Sequence, residues 1–242
     1  MKYFLLLLLL LTLAPASAQY DLFTLQPQAG FIGGWGQSIP IEGNREISFG
    51  GPNLAFGGTL LYTRRIRNWA IETGLGIERR AGNFDVRLVE GGSTTEPLER
   101  LLPLTSTALS IPIRFGVGGA RFRPKREDEE TRAVRNDLYY IGLELRQANY
   151  DAQPAELLSR TLQRSLNDRV TVALTFGLRH SIGFVPNLHI GAEIGVGLNP
   201  AHPPIEYLGQ TLDGRYREHH LRVSVSYTFL PTERSAWRKV VL

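Results

Sequence analysis

Apolar and polar side chains alternate along most of this chain, in segments of about ten residues separated by polar or Gly/Pro-rich breaks. In the last segment, Leu221, Val223, Val225, Tyr227 and Phe229 fall on one face of an extended strand, and the residues between them are polar. The same period of two recurs in seven further segments, near residues 22–36, 53–66, 69–84, 108–118, 138–150, 170–184 and 188–198. The pattern therefore predicts eight strands, each with one apolar and one polar face.

Two architectures accommodate strands of this kind. A soluble β-barrel buries the apolar face, whereas a membrane β-barrel turns it to lipid and encloses the polar face in its lumen. Gly, Ser and Thr are frequent on the polar face, and small side chains suit the narrow interior of an eight-stranded barrel. Aromatic residues near the predicted strand ends fit an interfacial girdle, namely Trp35, Tyr62, Trp69, Phe184, Tyr227 and Phe229. We therefore predict an all-β fold, an eight-stranded antiparallel up-and-down transmembrane β-barrel, with a soluble secreted ligand-binding β-barrel as the alternative.

The N-terminal segment has the form of an export signal. Lys2 precedes an apolar run over residues 4–13, which is too short to span a bilayer comfortably. Ala16, Ser17 and Ala18 then match the small-x-small form of a secretory cleavage site. We expect a signal peptide at 1–18, with an uncleaved anchor as the alternative. The barrel would then cover residues 19–230, followed by a C-terminal tail at 231–242.

The lengths of the connections support a barrel whose two chain ends lie on one side. The odd-numbered connections are long, as outer loops are, at 37–52, 85–106, 151–168 and 199–218. Tight turns are expected at residues 67–68 and 185–187. The even-numbered connections are expected to be short, but the fourth, at 121–137, is long and highly charged. It either extends two strands beyond the membrane or forms a loop on the side of the chain ends.

The composition excludes several classes of function. The 242 residues include no Cys, so the chain has no disulfide, thiol nucleophile, Cys-zinc site or iron–sulfur site. The formal net charge is only +4, and the arginines are scattered among carboxylates, so we predict no nucleic-acid binding. Glycines at period two within strands, such as Gly74 and Gly76, are interpreted as small lumen residues and not as a phosphate-binding loop.

Charged residues recur on the polar faces, where barrel closure would enclose them. Those predicted to point inward are Glu72, Glu78, Arg114, Glu144, Arg146, Arg179, His189, Glu193 and Arg222. The expected neighbours are Arg114 with Glu72, Glu78 or Glu144, and Glu193 with Arg179 or Arg222. Charges in a narrow lumen are costly unless they are paired, so we predict a structural ion-pair network that fills the barrel. A gated polar path, as in a narrow channel or transport protein, is the alternative.

The chain resembles the small outer-membrane β-barrel domain proteins of Gram-negative bacteria, in particular the eight-stranded PorT-like group. Residues 109–116 (LSIPIRFG) are similar to a strand common in that group, and residues 223–229 (VSVSYTF) resemble the terminal strand recognised by the barrel-assembly machinery. That signal usually ends the chain, whereas here 13 residues follow Phe229. The resemblance implies an outer-membrane location, outer-membrane lipid and the assembly machinery as partners, and no known reaction for most members.

The expected role is structural, or binding of an unidentified partner through the loops, by a monomer. Some small outer-membrane barrels are lipid A deacylases with a His/Ser/Glu triad, which makes His180, Ser181 and Glu193 the candidates here. Adjacent residues point to opposite faces of a strand, so His180 and Ser181 do not converge. His219 and His220 diverge for the same reason and lack metal-ligand spacing. We therefore predict no enzymatic activity, no metal site and no cofactor.

Overall fold

The computed structural model describes residues 19–35, 39–41, 45–49, 53–66, 68–90, 93–94, 99–122, 134–151, 170–183, 185, 187–200, 205–207, 210–212 and 217–229. The predicted signal peptide (1–18), the tail (231–242) and Phe184 lie outside the described residues, as does the side chain of Trp35. Among the residues described, there is no helix with the length and apolar character needed to cross a bilayer.

Eight long strands form one closed antiparallel barrel. They are β1 (Gln19–Trp35), β2 (Asn53–Ile66), β3 (Trp69–Glu90), β4 (Glu99–Val117), β5 (Leu138–Asp151), β6 (Val170–Ser181), β7 (Leu188–Gly197) and β8 (Arg217–Phe229). Each strand pairs with its neighbours in the sequence. β1 also pairs with β8, with Phe23 opposite Phe229, and this pairing closes the ring. The predicted eight-stranded up-and-down barrel is confirmed.

The two ends of the barrel differ in their connections. β1 begins and β8 ends at one end, which we call the terminal end, and the other is called the far end. The turn between β2 and β3 at the terminal end is tight, because Ile66 lies directly opposite Trp69. The turn before β7 includes Asn187, whose φ of 62° is a left-handed conformation that Asn tolerates better than most residues. Both turns lie where the sequence pattern predicts them.

The third and fourth strands are longer than predicted. β3 continues to Glu90 and β4 begins at Glu99, so most of the loop predicted at 85–106 is strand. The backbone pairing runs on from Ala81 opposite Thr105 to Val86 opposite Glu99, with an irregularity near Phe84. Backbone hydrogen bonds do not require alternating side chains, so the strands continue where the alternation of outward apolar residues ends.

Short strands occupy parts of other predicted loops. Arg45–Phe49 pairs with Ile39–Ile41 and with β3, which extends the sheet beyond the barrel at the far end. Ile205–Tyr207 pairs with Gln210–Leu212. β6 ends at Ser181 and not at residue 184, and β8 begins four residues before 221, at Arg217.

The charged connection between β4 and β5 contains a short two-stranded ladder. Ala120–Phe122 pairs with Val134–Asn136, and residues 123–133 lie outside the described residues. Of the two predicted possibilities, the described part fits an extension of the chain beyond β4 and β5.

The distribution of apolar and polar side chains is the inverse of that in a soluble protein, with apolar residues outside and polar residues inside. Outward apolar residues are exposed, for example Leu75 at 70%, Leu109 at 64% and Val223 at 60%. Most of the buried side chains in the described strands are polar or charged and point into the lumen. The polar and charged side chains that could form a functional site therefore lie in the lumen, and the strands of the barrel wall position them.

Candidate functional site

The strand alternation places every predicted lumen residue inside the barrel. Glu72, Glu78, Arg114, Glu144, Arg146, Arg179, His189, Glu193 and Arg222 are each 5% exposed or less. Eight of the nine take part in ion pairs with one another or with further buried residues. Together these pairs form one continuous network, which we call the lumen network.

The middle of the lumen is crossed by contacts from Arg114. One of its terminal nitrogens lies 2.9 Å from Glu72 Oε1 and the other 2.7 Å from Glu193 Oε2. Arg179 binds the second oxygen of Glu72 at 2.8 Å. The Tyr140 hydroxyl donates to Glu193 Oε2 at 2.9 Å, and the Arg114 guanidinium lies 4.6 Å from the centre of the Tyr140 ring. The contact between Arg114 and Glu193 joins β4 to β7 on the opposite wall.

Arg222 binds three carboxylates of the network. Its Nε lies 2.8 Å from Glu78 Oε2, and its Nη1 lies 2.6 Å from Glu144 Oε2 and 3.0 Å from Glu193 Oε1. Because these carboxylates lie on β3, β5 and β7, this single guanidinium joins three strands to β8. Charge-assisted hydrogen bonds of this kind are the strongest that side chains form with each other.

The network continues to the far end of the lumen. Arg146 forms ion pairs with Glu78 and, at 3.4 Å, with Glu218. Glu218 also binds Arg80 at 2.5 Å. The network thus contains five arginines (Arg80, Arg114, Arg146, Arg179, Arg222) and five glutamates (Glu72, Glu78, Glu144, Glu193, Glu218), so their formal charges cancel.

The structure revises the predicted partners. Arg114 with Glu72 and Glu193 with Arg222 are paired as expected, but the described ion pairs do not include Arg114 with Glu78 or Glu144, or Arg179 with Glu193. The register explains this difference, because Gly142 and not Glu144 lies opposite Arg114, and Gly177 lies opposite Glu193. The other arginine–glutamate pairs, such as Arg222 with Glu78 and Glu144, reach across the lumen instead of to the next strand.

Four buried residues of the site are not among the predicted lumen residues: Arg80, Glu218, His220 and Tyr140. Arg80 and His220 each lie two positions from a predicted lumen residue, so the alternation could have found them. His220 Nε2 lies 3.2 Å from Glu193 Oε1. A Cβ at Gly195 would overlap the His220 ring, and one at Gly177 would overlap the Tyr140 ring. These glycines therefore make room for large lumen side chains.

One cluster has the composition of a metal site. Single ligand atoms of Glu144, Glu193 and His220 all lie within 4.8 Å of one another. Nη1 of Arg222, however, lies 2.6 Å, 3.0 Å and 3.2 Å from those three side chains. The guanidinium thus takes the position that a bound cation would need, and the cluster belongs to the lumen network.

His189 lies apart from the lumen network. Its Nε2 is 3.1 Å from the backbone nitrogen of Asn136, and its Nδ1 is 3.4 Å from the carbonyl oxygen of Ser226. It thus belongs to the terminal end of the lumen.

The deacylase candidates do not converge. The His180 side chain is 66% exposed, with Nδ1 3.3 Å from Asp137 Oδ1, whereas Ser181 and Glu193 point into the lumen. Partial burial raises the pKa of Asp137. The hydrogen bond from the Ser181 backbone N–H, at 2.7 Å, lowers this pKa, and so do the Ser181 hydroxyl and the nearby histidines. Together these groups outweigh burial, so the pKa of Asp137 is lowered overall. His180 and Asp137 lie in contact at the rim of the terminal end.

The described aromatic residues of the predicted girdle lie at the terminal end. Phe23 packs against Tyr62 and Phe229, with ring centres 5.5 Å and 5.8 Å apart. Trp69 stacks on Phe115 at 5.1 Å. The girdle residues Trp69, Tyr227 and Phe229 are 40% exposed or more.

No protein-family model matches the chain, and no curated protein matches it. Among solved structures, the chain is similar to Neisserial surface protein A (NspA), with 12% sequence identity and a TM-score of 0.40, over 86% of this chain and 97% of that chain. It is also similar to Ail, the attachment invasion locus protein of Yersinia pestis, with 11% identity and a TM-score of 0.37, over 87% and 99% of the two chains. A major outer membrane protein from Thermus thermophilus is similar at 13% identity and a TM-score of 0.37, over 86% and 99%. The PorT-like resemblance of the sequence stays a prediction.

Proposed function

We propose that this chain is an outer-membrane β-barrel protein whose lumen is sealed by ion pairs and whose role is structural or depends on partner binding by its far-end loops. The observation that carries the proposal is the inverted polarity of the barrel. Charged side chains fill the lumen, and the outer surface carries a continuous belt of apolar side chains. In water such a belt would be an unusually large exposed apolar surface, whereas lipid is its natural solvent.

The height of the belt supports a single crossing of the membrane. On β8 the outward residues are apolar from Leu221 to Phe229, and on β3 from Trp69 to Ile77 with one threonine between them. Each run covers nine residues, and a tilted strand needs about 9–11 residues to cross the hydrocarbon core. The polar residues His219 and Arg79 follow at the far end of these runs. The belt therefore has the height of a membrane.

The location is tested by cell fractionation and by heat-dependent mobility on SDS gels. We expect the protein in the outer-membrane fraction, with a folded band in unheated samples that shifts on boiling. A soluble periplasmic protein without such a shift would contradict the proposal. It would favour a secreted ligand-binding barrel instead.

The sealed lumen is tested by conductance in planar bilayers. Because the lumen network crosses between opposite walls, we expect no conductance steps from the intact protein. The variants Glu193→Ala and Arg222→Ala test the channel alternative. Steps in the intact protein that change in either variant would establish a conducting path and overturn the seal.

A role in binding would rest on the far end, where β3 and β4 extend beyond the belt and Arg45–Phe49 and Ile39–Ile41 add to their sheet. Rigid strands that carry connecting segments are a common way to present a binding surface. Replacing residues 84–102 by a short turn should preserve the heat-shifted band and abolish capture of a partner by whole cells. Capture that survives this change would contradict loop-mediated binding through β3 and β4.

A further inference from the structure

The connection between β4 and β5 contains a residue that is unusually buried for its position. Asn136 ends the short strand Val134–Asn136 beyond the barrel wall, yet it is 0% exposed. An amide side chain in a connection between the strands of a barrel is normally hydrated. Here it lies at the terminal end of the lumen, below the lumen network.

Arg65 of β2 binds this connection at three acceptors. Its Nε and Nη2 donate to Asn136 Oδ1 at 2.8 Å and 2.5 Å, and Nη2 also donates to the Asp137 carbonyl oxygen at 2.6 Å. Nη1 donates to the Gly118 carbonyl oxygen at 2.7 Å. Arg65 is 0% exposed, and these hydrogen bonds of its guanidinium all lead to this connection. The buried guanidinium of Arg65 therefore fixes the position of the connection between β4 and β5.

The opposite wall holds the same segment. The backbone N–H of Asn136 points to Ser181 Oγ at 3.0 Å and to His189 Nε2 at 3.1 Å. Ser181 in turn donates its backbone N–H to Asp137 Oδ1 at 2.7 Å. Because Ser181 lies on β6 and His189 on β7, Asn136 bridges from these strands to Arg65 on β2. The segment thus spans the mouth of the barrel.

We propose that residues 134–137, together with Gly118, form a stopper that closes the terminal end of the lumen, with Arg65 as its latch. The stopper is a second seal beside the lumen network, because its hydrogen bonds use none of the network's carboxylates. The inference rests on the proposed function only in assigning the terminal end to the periplasm. Release of the latch would open the lumen from that side as far as the level of Tyr140 and Arg114.

The absence of Cys from the chain makes a single-thiol test direct. Ser226 points into the lumen near His189, is 1% exposed and has an Oγ with no hydrogen-bond partner, so Ser226→Cys is a mild change. The reagent is a membrane-impermeant, positively charged methanethiosulfonate, applied to the folded protein. We expect Ser226→Cys to react at least tenfold more slowly than Asp21→Cys, which lies on an exposed position of the same end.

Latch variants are combined with the Ser226→Cys reporter. Arg65→Ala should accelerate labelling at least tenfold, whereas Asn136→Asp, which gives Arg65 a carboxylate partner, should leave labelling slow. Arg80→Ala is the matched control, because Arg80 is a similarly buried arginine on the adjacent strand at the far end. It should leave the rate within about twofold of the reporter alone, since the bonds of the stopper are untouched.

Several outcomes would overturn the stopper. These are fast labelling of Ser226→Cys in the otherwise unchanged protein, an unchanged rate in Arg65→Ala, or an equal acceleration by Arg80→Ala. If Arg65→Ala does not fold, Asn136→Ala removes the same acceptor and is read against the same control. The gel shift of the unlabelled protein reports separately on the proposed function, so a barrel without a stopper is distinguishable from a chain that is no membrane barrel.

Discussion

At the scale of single residues, Arg222 illustrates how a charge is tolerated inside a narrow barrel. Its guanidinium is surrounded by Glu78, Glu144 and Glu193, and the whole group is removed from water. Desolvation of each ion is costly, and mutual attraction offsets that cost only with good geometry. Removal of one charged partner therefore destabilises the fold by more than the net stabilisation from the ion pair, because it leaves the other charge buried and unpaired.

We expect Arg222→Met to destabilise the barrel severely, by about 3–5 kcal/mol, because it leaves buried Glu144 without its arginine and takes one cation each from Glu78 and Glu193. The measurement is the urea concentration at which the unheated, folded band is lost from gels. Arg217→Met on the exposed face of the same strand is the control and should change this midpoint little. Equal effects of the two substitutions would contradict a structural role for the lumen network.

The rim residue Asp137 predicts a pH dependence. Its pKa is lowered in the folded state, so its contribution to stability is present above the pKa of the unfolded chain and is lost as the pH falls through the folded value. The urea midpoint of the parent should fall more steeply with acid, below about pH 4, than that of Asp137→Asn. Since Asp137 is partly exposed, the difference should be small. Parallel curves for the two proteins would show that the carboxylate is not coupled to folding.

At the scale of strands, large and small lumen residues fit together across neighbouring positions. Gly195 of β7 leaves the space that His220 of β8 fills, and Gly177 of β6 does the same for Tyr140 of β5. Gly58 of β2 faces outward, and a Cβ there would meet no atom closer than 3.8 Å. The same residue type therefore has different roles on the two faces of the wall.

Gly195→Ala should lower the free energy of unfolding of the barrel by about 1–3 kcal/mol, the usual effect of overpacking. Gly58→Ala should change it little. The double variant Gly195→Ala with His220→Ala should recover part of the loss, because it removes the ring that the new methyl group meets. The sample temperature at which the folded band is lost from gels measures the stability of all three variants. No recovery in the double variant would mean that the glycine is required by the backbone and not by His220.

At the scale of the whole molecule, the closure between the first and last strands defines the barrel. Ala29 and Val223 are opposite each other in the register of β1 and β8. Their Cα atoms are therefore close enough for a disulfide. We expect Ala29→Cys with Val223→Cys to crosslink under mild oxidation and to change the mobility of the boiled chain. Ala29→Cys with Leu109→Cys, on β4, should not crosslink; equal crosslinking of both pairs would argue against the closed register.

The sequence pattern predicted the architecture because the outward apolar residues of β8, β7 and β4 alternate regularly, and alternation is a local property. It also found most of the lumen charges for the same reason. It did not predict the length of β3 and β4, whose pairing near Val86 and Glu99 lies beyond the alternating segment. The ion-pair partners and the position of Asn136 depend on which walls face each other after closure, which no local pattern contains.

The contacts of Arg222 also have a consequence for folding. Arg222 on β8 pairs with Glu78 and Glu144, which lie 144 and 78 residues earlier in the chain. Contacts of such large sequence separation form only once the intervening chain has been brought together, and that loop closure costs entropy before the contact is gained. We therefore expect the lumen network to form late in folding, together with the closure between β1 and β8.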